Sequence, residues 1–431
     1  MFVRIDNAPR DYAWGSLHGI ADLLGREASG RPEAELWLGA HPGSPSVLVH
    51  PVGEATTLAA LISDDPGTTL GHEWLDFERD VEERAEAIER GSLDAPAVGG
   101  AERAPHLGYL LKVLSAAAPL SIQAHPSSEQ ALAGFDRENA LGVPLDSPER
   151  NYKDPFHKPE LIYPVTPFDA LCGFRSVSAS LAAIDKLIVV GRAEALPRDE
   201  IEVLRGILAS GDDEESALRA GVGLLLGGGE AAEEIVQQAT EIARSSSGIA
   251  LPEFDVVRLL ADAYPGDPGV VLALLLNRVA LKPGEVLYLP AGNIHAYLSG
   301  TGIELMAASD NVLRGGLTPK HIDVPELLRV LDFAPVSVPL LAPSRVGAVE
   351  LFEPDVPDFR LAHVTADASL EPSGPAIVLC TAGTASVRGA LGDIELERGQ
   401  ACFVTPDEGG LHLTLSEGAT LFAAMPNLLP E

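Results

Sequence analysis

Leu281-Lys282-Pro283-Gly284-Glu285-Val286-Leu287-Tyr288-Leu289-Pro290 has a near copy later in the chain, Leu396-Glu397-Arg398-Gly399-Gln400-Ala401-Cys402-Phe403-Val404-Thr405-Pro406. Each run places a glycine turn before an apolar strand that ends at a proline. Pro283-Gly284 suits positions i+1 and i+2 of a type II turn, where the second residue needs a positive φ. A turn, an inward-facing strand and a proline turn are the texture of a double-sheet jelly roll. The chain is therefore expected to be mainly β, with a β module used twice. The copies part after the second proline. The first continues Ala291-Gly292-Asn293-Ile294-His295 and the second Asp407-Glu408-Gly409-Gly410-Leu411, with no histidine at the matching place. A metal held by such a module belongs to the first copy; His412, one residue on, reads as a surface or satisfied core histidine.

Outward from these copies the texture changes twice. Residues 1 to about 175 read as short strands and irregular turns, apart from DFERDVEERAEAIER (76–90). Acids and bases at helical spacing make that run an exposed helix, and the Gly/Ala/Pro-rich residues 91–105 after it a surface loop. From about Ser178 to Asn277, segments such as DEIEVLRGILAS and AAEEIVQQATEIAR carry apolar residues at three- and four-residue steps. Asp212 and Asp213 stand where an N-cap and first-turn acids belong. This stretch reads as an all-helical insert. Strand texture returns at Val279 and continues, with Gly and Pro turns, through the tail 336–431.

Lys plus Arg is 30 and Asp plus Glu is 63, a net charge of −33. That excludes a broad nucleic-acid surface and argues against docking on anionic lipid. It leaves room for a small anionic substrate if a few cations gather in one pocket. No apolar run reaches membrane-spanning length, and the start MFVRIDNAPRDYAWGS carries no apolar signal core. Three cysteines, Cys172, Cys380 and Cys402, form no CxxC pair, as expected in a reduced cytoplasm.

Four stretches could carry chemistry. In Ser121-Ile122-Gln123-Ala124-His125-Pro126, period-2 alternation puts Ser121, Gln123 and His125 on one face. A metal would satisfy Gln123 Oε1 and a His125 nitrogen together; a strand with its polar face in water is the alternative. Asn151-Tyr152-Lys153-Asp154-Pro155-Phe156-His157-Lys158-Pro159-Glu160 is stiffened by two prolines and leads into a strand, so Glu160 can project from a fixed backbone, with His157 as its competitor. His295 closes a strand after a Gly turn. Together these give a mixed N/O set suited to zinc or another borderline divalent ion. The fourth stretch, Gly302 to His321, contains Glu304, Asp310 and Arg314-Gly315-Gly316. Arg314 with Lys112, Lys158 and Lys320 could form the positive pocket that a phosphorylated substrate needs.

SIQAHP (121–126), HKPEL (157–161), LPAGNIHAYL (289–298) and SDNVLRGGLTPKH (309–321), in this order, resemble the type I mannose-6-phosphate isomerases. YAWGS (12–16), ELWLG (35–39) and AHPGS (40–44) fit the same family. The resemblance is strong over the first 175 residues and about 275–335; the helical stretch and tail match in layout alone. It implies a cupin-type jelly-roll catalytic domain over 1–177 and 278–335, a helical insert domain over 178–277 and a C-terminal cupin-like β domain without metal ligands over 336–431. It implies one Zn2+ per subunit on Gln123, His125, Glu160 and His295, a catalytic Arg314, and a substrate pocket with Lys112, Lys158 and Lys320, to which Ser121 and Asp310 are added. The implied reaction interconverts D-mannose 6-phosphate and D-fructose 6-phosphate. A small sugar phosphate is then the expected partner, with no nucleic acid or membrane; a cytoplasmic monomer is compatible with this reading.

The residues suit that reaction on chemical grounds. Moving a proton between C2 and C1 through an enediol needs charge stabilisation on oxygen, which a divalent metal and a permanently charged guanidinium can both give. It also needs a general acid/base. Glu304 is the candidate, with Asp310 or a metal-bound water as rivals. A non-catalytic cupin-type sugar-phosphate sensor, or an isomerase of another phosphosugar, is the alternative. A cupin oxygenase fits poorly, since its iron sites are usually His-rich.

Overall fold

Both glycine turns form as the sequence predicts. The computed structural model describes residues 1–79, 105–246 and 251–428. In it Gly284 and Gly399 have φ of 85° and 83°. Glu285 N–H donates to Lys282 O at 3.0 Å and Gln400 N–H to Glu397 O at 2.9 Å. In each turn the fourth side chain reaches back to the first N–H: Lys282 donates to Glu285 Oε2 and Glu397 to Gln400 Oε1, both at 2.9 Å. The strands that follow, Val286–Leu289 and Ala401–Val404, are buried along most of their length.

One long strand, His295–Ala307, organises the first module. Its second half lies between Tyr109–Ala116 and Glu160–Pro164, antiparallel to both. Its first half pairs with Phe168–Phe174 and, at His295, with Gln123. The partners change at a bend, where the register slips between Tyr297 and Ser299 and Gly300 takes φ 125°. A Cβ at Gly300 would sit 2.5 Å from the Phe168 ring and 2.8 Å from Pro167 O, so the bend depends on glycine. The short strand Leu313–Arg314 lies against Gln123–Ala124. All of these belong to one ten-stranded sheet that curls around a core including Leu114, Ile162, Phe168, Leu287 and Tyr297.

Helices follow the three- and four-residue steps: Val177–Ala193, Asp199–Ala209, Glu214–Leu226, Glu230–Ser245 and Pro252–Ala263. Asp213 is the N-cap of the third, its carboxylate accepting from Ser216 N–H at 2.7 Å. Their apolar faces share one core with Ile122, Ala124, Leu171 and Ile294 of the first module, so the back of the Gln123 strand is packed against helices.

In the tail, the nine-stranded and four-stranded sheets enclose an apolar core that contains Val378, Cys380, Cys402 and Leu413. Phe2–Asp6 pairs with Ala401–Val404 in that nine-stranded sheet, a long-range partner that no local pattern announces. A helix the strand-and-turn reading of the first 175 residues passed over runs from Ser128 to Ala140. Its signal is present in the sequence: Ser127 and Gln130 form a reciprocal capping box. Of the acidic run 76–90, residues 76–79 are helical; the remainder, and the loop 91–105 except its last residue, lie outside the described residues. The three cysteines are free and buried. No helix among the described residues is long and apolar enough to cross a membrane.

Candidate metal centre

Period-2 alternation holds around Gln123. Ile122 and Ala124 enter the helical core, while Gln123 and His125 face the opposite way. Pairing does the rest. His295 is the register partner of Gln123, and Glu160 begins the strand that runs beside the far half of the His295 strand. The ligand atoms of His125, Glu160 and His295 all come within 4.8 Å of one another, and all three residues are buried. His125 Nε2 lies 3.4 Å from Glu160 Oε1, and His295 Nε2 lies 3.4 Å from Glu160 Oε2. The Gln123 side-chain amide is 3.3 Å from His295 Nε2. Turning that amide about its last torsion brings its carbonyl oxygen to the same place.

Two observations say what this cluster fits. Among the described residues, His125 Nε2 and Glu160 Oε2 are buried with no hydrogen-bond partner, an arrangement that costs free energy unless something else engages them. Both imidazoles are also fixed from behind: His125 Nδ1 meets Asn311 O at 2.7 Å and His295 Nδ1 meets Asn293 O at 3.1 Å. A carbonyl can only accept, so each Nδ1 carries a proton, and in the neutral ring that leaves the Nε2 lone pair facing inward. That is the outer-sphere pattern of metal-binding histidines. Burial, followed by the Lys158 cation, pushes the His125 pKa down to about 4, which keeps the ring neutral. Burial alone would raise Glu160, but the Lys158 ammonium at 3.1 Å holds its carboxyl well below the usual range. Two imidazole nitrogens, a carboxylate and an amide oxygen are donors of the kind a divalent cation could bind.

The other sequence-predicted residues fall into two groups. Arg314 is the register partner of Gln123 and is half-buried. Among the described residues its guanidinium has no ion-pair partner. Asp267, beyond the last of the long helices, secures the loop after it, accepting from Leu317 N–H at 2.7 Å and Thr318 N–H at 3.2 Å. Burial, then the neighbouring Arg314 and Lys153 cations, lowers the Lys320 pKa, so these three cations lie near one another, with Arg314 on the strand beside Gln123. Ser121 is half-buried on the Gln123 segment.

Lys112 and Glu304 sit deeper, as register partners on adjacent strands. Lys112 Nζ is 3.0 Å from Glu304 Oε2 and 3.6 Å from Glu35 Oε1, and stands 5.2 Å from the centre of the Trp37 ring. Burial, and then the Glu160 and Glu35 carboxylates against the pull of Lys112, raises the Glu304 pKa. Asp310 is at the rim, 3.5 Å from Nε2 of the buried His41. His157 is turned away from the cluster; its Nε2 lies 2.9 Å from Asp358 Oδ2. Sequence reasoning missed Glu35, Lys153, Asp154 and Asn311, and used His41 only as part of a motif. Glu35, His41 and Asn311 lie inside motifs quoted for the family resemblance, and Lys153 and Asp154 inside the Asn151–Glu160 stretch, but no local signal gave any of them a role of its own.

The chain is 36% identical to the mannose-6-phosphate isomerase of Escherichia coli K12, over 94% of its own length and 95% of the relative's. It is 32% identical to the human enzyme of the same name, over 97% and 96%. The model of the family "Phosphomannose isomerase type I, catalytic domain" matches residues 78–177. The chain belongs to the type I mannose-6-phosphate isomerase family. Among solved structures of that family, the apo form from Salmonella typhimurium matches with a TM-score of 0.80 and 32% identity, covering 99% of each chain. A zinc-bound holo form of mannose 6-phosphate isomerase also matches with a TM-score of 0.80 and 32% identity, covering 99% of this chain and all of that one. The helices and the tail, which resembled the mannose-6-phosphate isomerases in layout alone, thus fall inside the family's shared fold.

Proposed function

We propose that this chain is a zinc-dependent aldose-ketose isomerase that interconverts D-mannose 6-phosphate and D-fructose 6-phosphate. The observation that carries the proposal is the pair of buried atoms, His125 Nε2 and Glu160 Oε2, that lack a hydrogen-bond partner among the described residues and face His295 Nε2 in a chain of this family. Gln123, His125, Glu160 and His295 are the proposed ligands. When bound, a divalent cation supplies Lewis-acid polarisation to substrate oxygens and so makes the neighbouring C–H more acidic.

The chain's own side chains do the remainder. Arg314, free of ion pairs among the described residues and one strand from Gln123, stabilises negative charge on the enediolate oxygen. Lys320 and Lys153 beside it attract the phosphate, with Lys158 contributing from the Glu160 side; Ser121 and Asp310 line the pocket and orient sugar hydroxyls. Glu304 is the proposed proton carrier between C2 and C1. Its raised pKa suits a group that must both take and return a proton, and Lys112 limits how far that rise goes. The proposed domains, 1–177 with 278–335, 178–277 and 336–431, divide the labour: the first carries every ligand, and the helices pack behind Gln123 and brace the Arg314 loop through Asp267.

A coupled assay of mannose 6-phosphate conversion tests the proposal. Activity is expected to disappear on exhaustive chelation and return with zinc. Full turnover by the metal-free protein, or none after zinc return, would defeat it.

A further inference from the structure

Between the Glu160 strand and the Arg314 strand lies a knot of hydrogen bonds that the reaction scheme above does not use. Asn311 is completely buried. Its Nδ2 donates to Asp154 O at 2.7 Å and to Phe156 O at 2.8 Å, and its Oδ1 accepts from Lys153 N–H at 2.8 Å. Its backbone carbonyl is the group that fixes His125 Nδ1. Asp154 answers from the other side. Its Oδ1 accepts from Ser309 Oγ at 2.7 Å, and its Oδ2 accepts from Asp310 N–H at 2.8 Å. Neither residue is among the proposed ligands, and the polar atoms of both side chains are engaged by these internal hydrogen bonds.

The two segments joined here are otherwise irregular. Residues 151–159 and 309–312 have no strand or helix to hold them, yet they carry Lys153, Lys158 and Asp310 and lead directly into Glu160 and Arg314. A loop of this kind keeps one geometry only if its backbone groups find fixed partners. Asn311 supplies those partners with both ends of its amide, and the same residue sets the ring of His125. A shift of the loop therefore moves a ligand and the substrate cations together.

We propose that Asn311 and Asp154 form a clasp that positions the site: Asn311 ties the His125 ring to the Lys153–Lys158 loop, and Asp154 holds the Ser309–Asp310 segment against that loop. The inference rests on the proposed isomerase reading and deepens it. The two members divide in a testable way, because Asn311 touches His125 and Asp154 does not.

Asn311→Asp keeps the acceptor for Lys153 N–H but removes both donors and sets a carboxylate against two carbonyls and the Asp154 carboxylate, to which the amide now donates at 3.2 Å. Asp154→Asn keeps the shape and loses acceptor strength toward Ser309 and Asp310. Zinc affinity of the apo protein is measured by competition with a chromophoric chelator, beside kcat, KM and the thermal midpoint. For Asn311→Asp, zinc binding is expected to weaken by about 10- to 100-fold and KM to rise. For Asp154→Asn, KM is expected to rise several-fold with zinc affinity within twofold of wild type. A purely structural role would lower the thermal midpoint of both and leave zinc affinity and KM unmoved, which overturns the inference. Should Asn311→Asp not fold, Asn311→Ser carries the same expectation. Wild-type protein that binds no zinc defeats the isomerase reading itself; wild-type protein that binds zinc and turns over, with variants indistinguishable from it, defeats only the clasp.

Discussion

Replacing Lys112 with methionine removes a buried cation from between two buried carboxylates. Lys112, Glu304 and Glu35 are 6%, 3% and 8% exposed, with the ammonium 3.0 Å from one carboxylate and 3.6 Å from the other. At an effective dielectric of about 20, those separations correspond to gross attractions of about 5.5 and about 4.6 kcal/mol. Desolvation of three ions cancels most of that sum, and the net cost of leaving buried partners uncompensated is about 3–5 kcal/mol. Part of the penalty is titratable. Glu304 already has a raised pKa, and losing Lys112 raises it further. A carboxyl with a folded pKa above its unfolded value contributes stability that is fully present below the unfolded pKa and is lost as pH rises through the folded one. The defect of Lys112→Met is therefore expected to be small near pH 4 and full at pH 8. Thermal unfolding at both pH values, for Lys112→Met, Glu304→Gln and the double variant, forms a cycle. At pH 8 the single lysine variant should melt at least about 5 °C lower, and the double variant should recover much of the loss. A lysine variant within 1 °C of wild type at pH 8, or a double variant no better than the single, would refute the reasoning.

Three further outcomes follow from the same geometry. Arg314→Ala should lower kcat by about 100- to 1,000-fold, the cost typical of a lost charge-stabilising donor, while bound zinc measured by atomic absorption stays near one per chain. Asp358→Asn removes the partner of His157, whose pKa is raised by that pairing against the opposing effect of burial. Stability from this pair is present below the ordinary histidine pKa and lost as pH rises through the higher folded value, so the variant should be weaker than wild type at pH 6 and equal to it at pH 9 in denaturant melts. Gly300→Ala should destabilise strongly, because its Cβ would sit 2.5 Å from the Phe168 ring at φ 125°; a melt unchanged from wild type would show that the bend is not required.

The features legible in the sequence share a physical cause: they are local. Gly284 and Gly399 announce turns because a positive φ penalises any Cβ, and the 177–263 helices announce themselves by a repeat that survives in any context. Alternation also orders Gln123 against Ile122, since one side of a strand meets helices and the other the site. The features hidden in the sequence depend on pairing across the fold. Nothing near Lys112 says that Glu304 and Glu35 flank it, because that follows from strand register. Asn311 looks like one polar residue among several until residues 153–156 are folded against it. Phe2–Asp6 gives no sign that its partner strand is Ala401–Val404. The Ser128–Ala140 helix is a different case: its capping box was readable, but prolines and glycines around it favoured an irregular reading.

The most direct test of the central claim is the position of the cation. Anomalous diffraction at the zinc edge from crystals of the zinc-loaded protein should show one peak per chain, bonded to His125 Nε2, His295 Nε2, a Glu160 oxygen and the Gln123 side-chain oxygen. A fully active crystal form with no peak among these four residues, or with its zinc bound elsewhere, would contradict the account.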